Sequence, residues 1–422
     1  MKLRYRLKTI PLYARILIGM VLGIILGLAA LALHGEQFIT DWIKPWGELF
    51  IRLLQLIAVP LIFVTLVKGV AGLKEISRFS KLGGKTMLLY LAFIAASVVF
   101  GLILGSVISP GELVNQEVAS TLQAKYESTI ANQAATAIQV HSRGPLHFLQ
   151  EIVPSNIVQA AASNSTILQV IFFAILFGVA ALLVPEQQVR PVLALFEGLD
   201  GIIMKMVGFI IDAAPIGVTA LMAALVTDFR GDVSVFSALG VYALTVIVGL
   251  LIIMYVFYPI IIRFFSRTKV KAFVRAMYPV QLFAFTTSSS AVTLPVTMKT
   301  LKEKLGISDE TASFVLPVGV TVNMDGTSCY QAIAILFIAQ VLGIELSLTQ
   351  MLTILLMTIL SSIGTPGIPG GSYVILAMVL TSVGIPPEGL ALIIGIDRPL
   401  DMLRTAVNVT GDATVACMVD GK

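Results

Sequence analysis

Apolar runs long enough to cross a bilayer recur along the first two thirds of the chain, at about 16–33, 46–67, 87–108, 167–183, 202–226 and 233–262, each bounded by charged or turn-forming residues. A helix needs roughly 20 residues to cross the hydrocarbon core, so six crossings are predicted here. The last third breaks this pattern. No charge occurs between Glu345 and Glu388, about twice the length of one crossing. At the centre of that run stands Ser361-Ser362-Ile363-Gly364-Thr365-Pro366-Gly367-Ile368-Pro369-Gly370-Gly371-Ser372. Its prolines remove backbone donors and its glycines loosen the chain. Irregular backbone at membrane depth is tolerated only inside protein or beside a watery cavity. A re-entrant hairpin is therefore predicted, with two crossings and an ordinary turn as the plainer alternative.

A second hairpin is predicted earlier. The charge-free run 276–298 is centred on Thr286-Thr287-Ser288-Ser289-Ser290 and has basic residues on both sides, Lys269, Lys271 and Arg275 before it and Lys299, Lys302 and Lys304 after it. Basic loops stay cytoplasmic, so the segment dips in and returns to the same side. Two hairpins, each followed by a long helix, form the inverted-repeat arrangement of secondary transporters.

Composition agrees with a polytopic membrane protein: 57% of the 422 residues are hydrophobic, 12% are charged, and the mean hydropathy is +0.95. The net charge of +4 is small, and its placement says more than its size. Lys2, Arg4, Arg6, Lys8 and Arg15 precede the first run, so a cytoplasmic start without a cleavable leader is expected. The turn after the second run carries Lys68, Lys74, Arg78, Lys81 and Lys85, and the turn after the sixth carries Arg263, Arg267, Lys269, Lys271 and Arg275. Single crossings put both turns inside, as their charge requires. The polar stretch 111–144 then falls outside as a loose loop. Cys329 and Cys417 lie in apolar segments and make no disulfide framework, and three scattered histidines do not make a metal centre.

The chemistry lies near the C-terminus. The predicted helix 307–342 is interrupted by Asn323-Met324-Asp325-Gly326-Thr327. Such residues are costly in a membrane helix and free carbonyl oxygens for a hard cation, so a sodium site is predicted, a kink satisfied by neighbouring helices being the alternative. At about 100° per residue, Asp397, Asp401, Arg404, Thr405, Asn408 and Asp412 of the last helix share an arc of about 100°. This polar stripe is either an ion-pair ladder or a binding face. As a binding face it describes an acidic amino acid: Arg404 suits a carboxylate, Asp401 a protonated amine, and Asn408 a second carboxylate. Asp412 would then face Asn323 and Asp325 as an ion ligand.

These motifs closely resemble the glutamate/aspartate transporters, the dicarboxylate/amino-acid:cation symporters that include archaeal aspartate transporters and excitatory amino acid transporters. The resemblance rests on Thr287-Ser288-Ser289-Ser290-Ala291-Val292-Thr293-Leu294-Pro295, on Asn323-Met324-Asp325-Gly326-Thr327, on Ser362-Ile363-Gly364-Thr365 with Ile368-Pro369-Gly370, and on Asp401-Met402-Leu403-Arg404-Thr405 with Asn408-Val409-Thr410-Gly411-Asp412. It implies a homotrimer in a prokaryotic plasma membrane, with cytoplasmic termini. Each protomer would have eight transmembrane helices and two re-entrant hairpins and would work as an elevator-type symporter without an enzymatic cofactor. Residues 1–265 would hold the first six helices, the first, second, fourth and fifth as scaffold and the third and sixth moving with a transport core at 266–422. That core would contain hairpin 1 (268–304), the seventh helix (307–342), hairpin 2 (346–385) and the eighth helix (388–418). By position, Arg404 would hold the substrate side-chain carboxylate and Asp401 its amino group, with Asn408, Thr405, Thr327, Ser290 and Ile368 completing the pocket. One sodium would use Asp412, Gly319, Asn323 and Asn408. A second would use Thr321, Ser362, Ile363 and Thr365, and a third Asn323, Asp325 and Tyr90.

The chain departs from that pattern at three places. Relatives with the third sodium site carry hydroxyls where Phe93 and Ile94 stand, which leaves the stoichiometry open. Relatives carry an arginine at the first hairpin tip or beside the substrate aspartate, whereas Ser288 and Met402 stand there, and Arg398 is the candidate to replace it. Potassium-exporting relatives have a glutamate where Gln331 stands, which argues against potassium counter-transport. The rival readings are a proton-coupled symporter, with Asp325 and Asp412 taking protons, and a C4-dicarboxylate carrier, which would leave Asp401 without an amine to bind. A channel would need a continuous polar path. An intramembrane hydrolase would need a histidine beside Ser288–Ser290 or Asp401.

Overall fold

The computed structural model describes residues 12–77, 80–115, 153–162, 166–228, 230–362 and 371–420, and among these there are helices and no strands. The first half contains α1 (Leu12–Ala32), α2 (Lys44–Ser77), α3 (Ser80–Ile108), α4 (Ile167–Leu183), α5 (Glu186–Asp212) and α6 (Ala214–Asp228). A π-helical turn at Ile253–Phe257 joins α7 (Val233–Ile252) to α8 (Tyr258–Phe265) in one rod. The second half contains α9 (Val270–Thr287), α10 (Ser290–Leu305), α11 (Asp309–Val322), α12 (Asp325–Val341), α13 (Leu348–Ser362), α14 (Gly371–Ser382) and α15 (Asp397–Val419).

Among the described residues, four helices are long and apolar enough to cross a membrane: α1, the helix 36–68, the helix 83–113 and the rod 233–265. The α5–α6 pair makes a fifth if its bend is taken as one span. The uninterrupted crossing expected at 202–226 is corrected here, because α5 ends at Asp212 and α6 leaves it at 46°. Pro215 explains the break, since proline disfavours helical geometry in the residue before it and supplies no N–H in the new first turn. The second run also extends beyond the apolar stretch, with α2 continuing to Ser77. Only a few residues of the expected loop 111–144 lie within the described residues. There Pro110–Leu113 forms one tight helical turn, and Gly111 N donates to Gln340 Oε1 at 3.0 Å.

The helices pack in two groups. In one, α1 lies on α6, and α2 packs on α4, α5 and α6; in the other, α3, α7 and α8 and α9–α13 pack around α12 and α15. The α1–α6 seam is a close backbone approach, with Gly19, Gly23 and Gly27 at four-residue spacing facing Pro215, Thr219, Met222, Ala223 and Val226. A Cβ on any of these glycines would come within 3.0 Å of α6, the small-residue contact typical of membrane helices. Gly23→Val is expected to destabilise the protein by about 1–3 kcal/mol, read as a lower thermal unfolding midpoint in detergent. An unchanged midpoint would show that the seam tolerates a side chain.

α12 and α15 form the centre. Nearly every residue of α12, and α15 from Arg404 to Val419, is buried, as expected for helices enclosed on all sides. The C-terminal carbonyls of α15 are met by other elements: Ser266 Oγ donates to Cys417 O and Lys85 Nζ to Met418 O, each at 3.0 Å. A cation there also complements the helix dipole.

Candidate functional site

The predicted hairpin 268–304 is a helix–turn–helix, α9 packed along α10. Ser288 turns the chain in the left-handed region at φ 50°, and Ser289 Oγ accepts from Val292 N at 3.4 Å to cap α10. Ser288 and Ser290 are buried, and α10 packs on α15. In the second expected hairpin, α13 and α14 are side by side, and Ser362 Oγ reaches Val322 O at 3.3 Å. Ile363, Thr365 and Ile368, expected at its tip, lie outside the described residues. The predicted break in 307–342 is present, since Asn323 and Met324 leave helical geometry between α11 and α12.

That break leaves the first N–H groups of α12 without intrahelical partners, and Asn408 of α15 supplies one. Its Oδ1 accepts from Gly326 N at 2.8 Å and Thr327 N at 3.4 Å, while its Nδ2 donates to Thr327 Oγ1 at 3.2 Å. Asn408 and Thr327 are therefore brought together as predicted, but the Asn408 amide is engaged in capping α12. Thr405 Oγ1 bonds back to Asp401 O at 2.9 Å.

The break also gathers the carboxylates predicted for cations. Asn323 Nδ2 donates to Asp412 Oδ1 at 2.9 Å, and Asn323 Oδ1 is buried without a partner among the described residues. Asp325 accepts from Gly326 N at 3.1 Å and from the Tyr258 hydroxyl. Gly319 faces the Asp412 carboxylate and the Tyr90 hydroxyl so closely that a Cβ would collide with both. Tyr90 itself donates to Val315 O at 2.9 Å instead of meeting Asp325. Thr321 lies on an exposed face with its hydroxyl bonded to Val318 O at 2.9 Å. Tyr258 is the functional candidate that the sequence does not single out, since Tyr255, Tyr242 and Thr245 carry hydroxyls in the same apolar run. Phe93 stacks on the Tyr258 ring with centroids 5.9 Å apart, and Ile94 is fully buried, so neither brings an oxygen to this cluster.

Two to three turns earlier on α15 lies a second charged group. Arg404 is fully buried, and its Nη2 donates to Asp397 Oδ2 at 3.0 Å and to Asp401 Oδ1 at 2.9 Å. The ring of Tyr330 lies 3.8 Å from the guanidinium carbon, an added attraction for a desolvated cation. Arg398 Nη1 donates to the other Asp401 oxygen at 2.8 Å. The stripe of α15 is thus an ion-pair ladder in this structure, yet an incomplete one. Arg404 Nε and Nη1, Arg398 Nε and Asp397 Oδ1 are buried without hydrogen-bond partners among the described residues. Buried donors left unpaired are costly, so the free guanidinium nitrogens of Arg404 and Arg398 are the atoms at which a carboxylate-bearing ligand gains most. Among the described residues no cluster of three His, Cys, Asp or Glu side chains forms a metal centre of that kind.

Comparison with known proteins agrees with a transport site. The chain is 35% identical to the Proton/glutamate-aspartate symporter of Escherichia coli over 414 residues, covering 96% of this chain and 91% of that protein. It is 35% identical to the Proton/sodium-glutamate symport protein of Bacillus subtilis over 408 residues, covering 97% and 92%. It is 34% identical to the C4-dicarboxylate transport protein of Rhodospirillum rubrum over 411 residues, covering 97% and 87%. Residues 12–422 match the Sodium:dicarboxylate symporter family. With its apolar helices and its buried charges on α15, the chain belongs to the sodium:dicarboxylate symporter family, a multi-pass membrane transporter and not an enzyme.

Proposed function

We propose that this protein imports an acidic amino acid, L-aspartate or L-glutamate, in symport with sodium. The observation that carries this reading is the pairing of Asp401 with an Arg404 that keeps two buried nitrogens without hydrogen-bond partners among the described residues. Arg404 binds a substrate carboxylate, the amine exchanges onto Asp401, and Thr405, Thr327, Asn408, Ser290 and Ile368 surround the remainder. A dicarboxylate without an amine would give Asp401 no such partner, although one 34% identical relative is named a C4-dicarboxylate transport protein. Sodium is placed at Asp412 with Asn323, Asn408 and Gly319, and at Thr321, Ser362, Ile363 and Thr365. Asn323 Oδ1, beside Asp412 and without a partner among the described residues, supports the first of these.

A second reading, proton coupling, is favoured by one local feature. Tyr258 already bonds one oxygen of Asp325, and Phe93 and Ile94 offer no ligand there, so no side chain at those two positions adds an oxygen to the third cation site of Asn323, Asp325 and Tyr90. The printed names of relatives include both ions.

The proposed assembly is a homotrimer with eight crossings and two re-entrant hairpins per protomer, both termini on the cytoplasmic side of a prokaryotic plasma membrane. The scaffold is the first, second, fourth and fifth crossings, and an elevator motion carries the third, the sixth and residues 266–422. The packing of α1 on α6 and of α2 on α4–α6, with α3, α7 and α9–α11 gathered around α12 and α15, supports this division, and α14 bridges the two groups by packing on α2. Asp412→Asn separates ion from substrate roles. It is expected to weaken sodium dependence of L-aspartate uptake at least ~10-fold while leaving the preference among acidic substrates unchanged. The check is uptake into liposomes across a sodium series, and an unaltered sodium dependence would remove Asp412 from the ion site.

A further inference from the structure

We propose that Arg398 is a substrate-contacting, specificity-determining residue, the second guanidinium for a two-carboxylate substrate, on the opposite side of Asp401 from Arg404. This rests on the acidic-substrate reading above. Along the start of α15 the charges run Asp397, Arg398, Asp401, Arg404. Arg398 and Arg404 each hold one oxygen of Asp401, at 2.8 and 2.9 Å, so the carboxylate lies between two guanidinium groups. The two arginines are not equivalent. Arg404 has Asp397 as a second counter-ion and Tyr330 against its plane, whereas among the described residues Arg398 has Asp401 alone, and shares it.

Arg398 is nonetheless only 8% exposed, and its Nε is buried with no acceptor among the described residues. A desolvated guanidinium with half a counter-ion and a spare N–H gains from a carboxylate, and its planar fork suits that group. The order of signs also fits. Arg404, Asp401 and Arg398 present plus, minus, plus to a substrate carrying carboxylate, ammonium and carboxylate. With the four side chains formally neutral as a set, a substrate with net negative charge needs a cation not already balanced, and Arg398 is the least balanced of the two.

The test uses the purified full-length protein in liposomes and compares wild type, Arg398→Gln and Arg398→Lys for KM and Vmax of labelled L-aspartate, or of labelled succinate should wild type take up only that. Thermal unfolding of each variant checks its fold. Arg398→Gln is expected to raise KM at least ~10-fold with Vmax within about threefold, and Arg398→Lys, which keeps the charge without the fork, to recover part of the loss. An unchanged or lowered KM overturns the proposal; a lowered one would mean that Arg398 only competes with the substrate amine. A fall in Vmax at constant KM, or loss of folding in both variants, would make Arg398 a structural residue and overturns it as well. Wild type that takes up neither compound sinks the acidic-substrate reading instead.

Discussion

Arg404→Cys is expected to reduce L-aspartate uptake at least ~100-fold at equal membrane abundance, from the loss of two or more charge-assisted hydrogen bonds at roughly 1.5–3 kcal/mol each. Three observations set that size. The guanidinium is fully buried, it is the shared partner of Asp397 and Asp401, and two of its nitrogens have no partner among the described residues. Water therefore cannot replace it, and lysine cannot reproduce its fork. Removing the cation also leaves a pocket suited to smaller substrates with one carboxylate fewer, so selectivity should move toward small neutral amino acids. Competition of labelled uptake by L-glutamate and L-serine measures both effects. Unchanged preference for acidic substrates would place Arg404 outside the pocket.

Asp397→Ala is expected to destabilise the fold by about 3–5 kcal/mol, the cost of breaking a buried ion pair from one side. Asp397 and Arg404 have side-chain exposures of 0% and 1%, so the stranded guanidinium has no route to solvent. It would fall back on Asp401 alone and pull that carboxylate from the place where an amine binds. Asp397→Asn keeps the shape and one acceptor and should cost less. The measurement is thermal unfolding in detergent with and without L-aspartate. A midpoint within about 1 °C of wild type, well below the roughly 3–6 °C that 3–5 kcal/mol produces in a protein of this size, would show that Asp397 does not hold Arg404.

The polar face of α15 was legible in the sequence because a charge inside an apolar helix is expensive and must have a reason to be there. Its six polar positions fall on one arc by spacing alone. Which partner each charge takes was not legible. Arg404 can reach Asp397 or Asp401 on its own helix, and the side chain is fixed by Tyr330 from α12, a contact that requires tertiary packing. Tyr258 escaped notice for the same reason: its hydroxyl means little until α8 is placed beside Asp325. The break at Asn323 and Met324 could be read because its residues are polar in an apolar context. The bend at Ala213 could not be read from hydropathy, since Ala213, Ala214 and Pro215 continue the apolar composition while ending the helix. Helix ends were misjudged at α2 because loss of hydrophobicity marks the edge of a membrane, not the end of a helix, and hydrogen bonding carries α2 on to Ser77.

Asn408 shows how a residue's place can be read from spacing while its hydrogen bonds cannot. Spacing put it on the binding stripe, and it does lie there, but both ends of its amide are taken up at the start of α12. It ties the polar stripe of α15 to the break between α11 and α12, with Thr327 N–H and hydroxyl as the joint. A substrate or cation that draws on Asn408 must disturb that joint, which is a physical route for coupling the two.

The most direct measurement is uptake of labelled L-aspartate by wild type and Asp401→Ala in liposomes, with an inward sodium gradient and then with only an inward proton gradient. The expected result is saturable, L-glutamate-sensitive uptake by wild type under the sodium gradient and none by Asp401→Ala, because the amine loses the carboxylate assigned to it between Arg398 and Arg404. Uptake of succinate with no L-aspartate uptake under either gradient, or an Asp401→Ala protein that takes up L-aspartate as wild type does, would contradict the assignment of this site to an acidic amino acid.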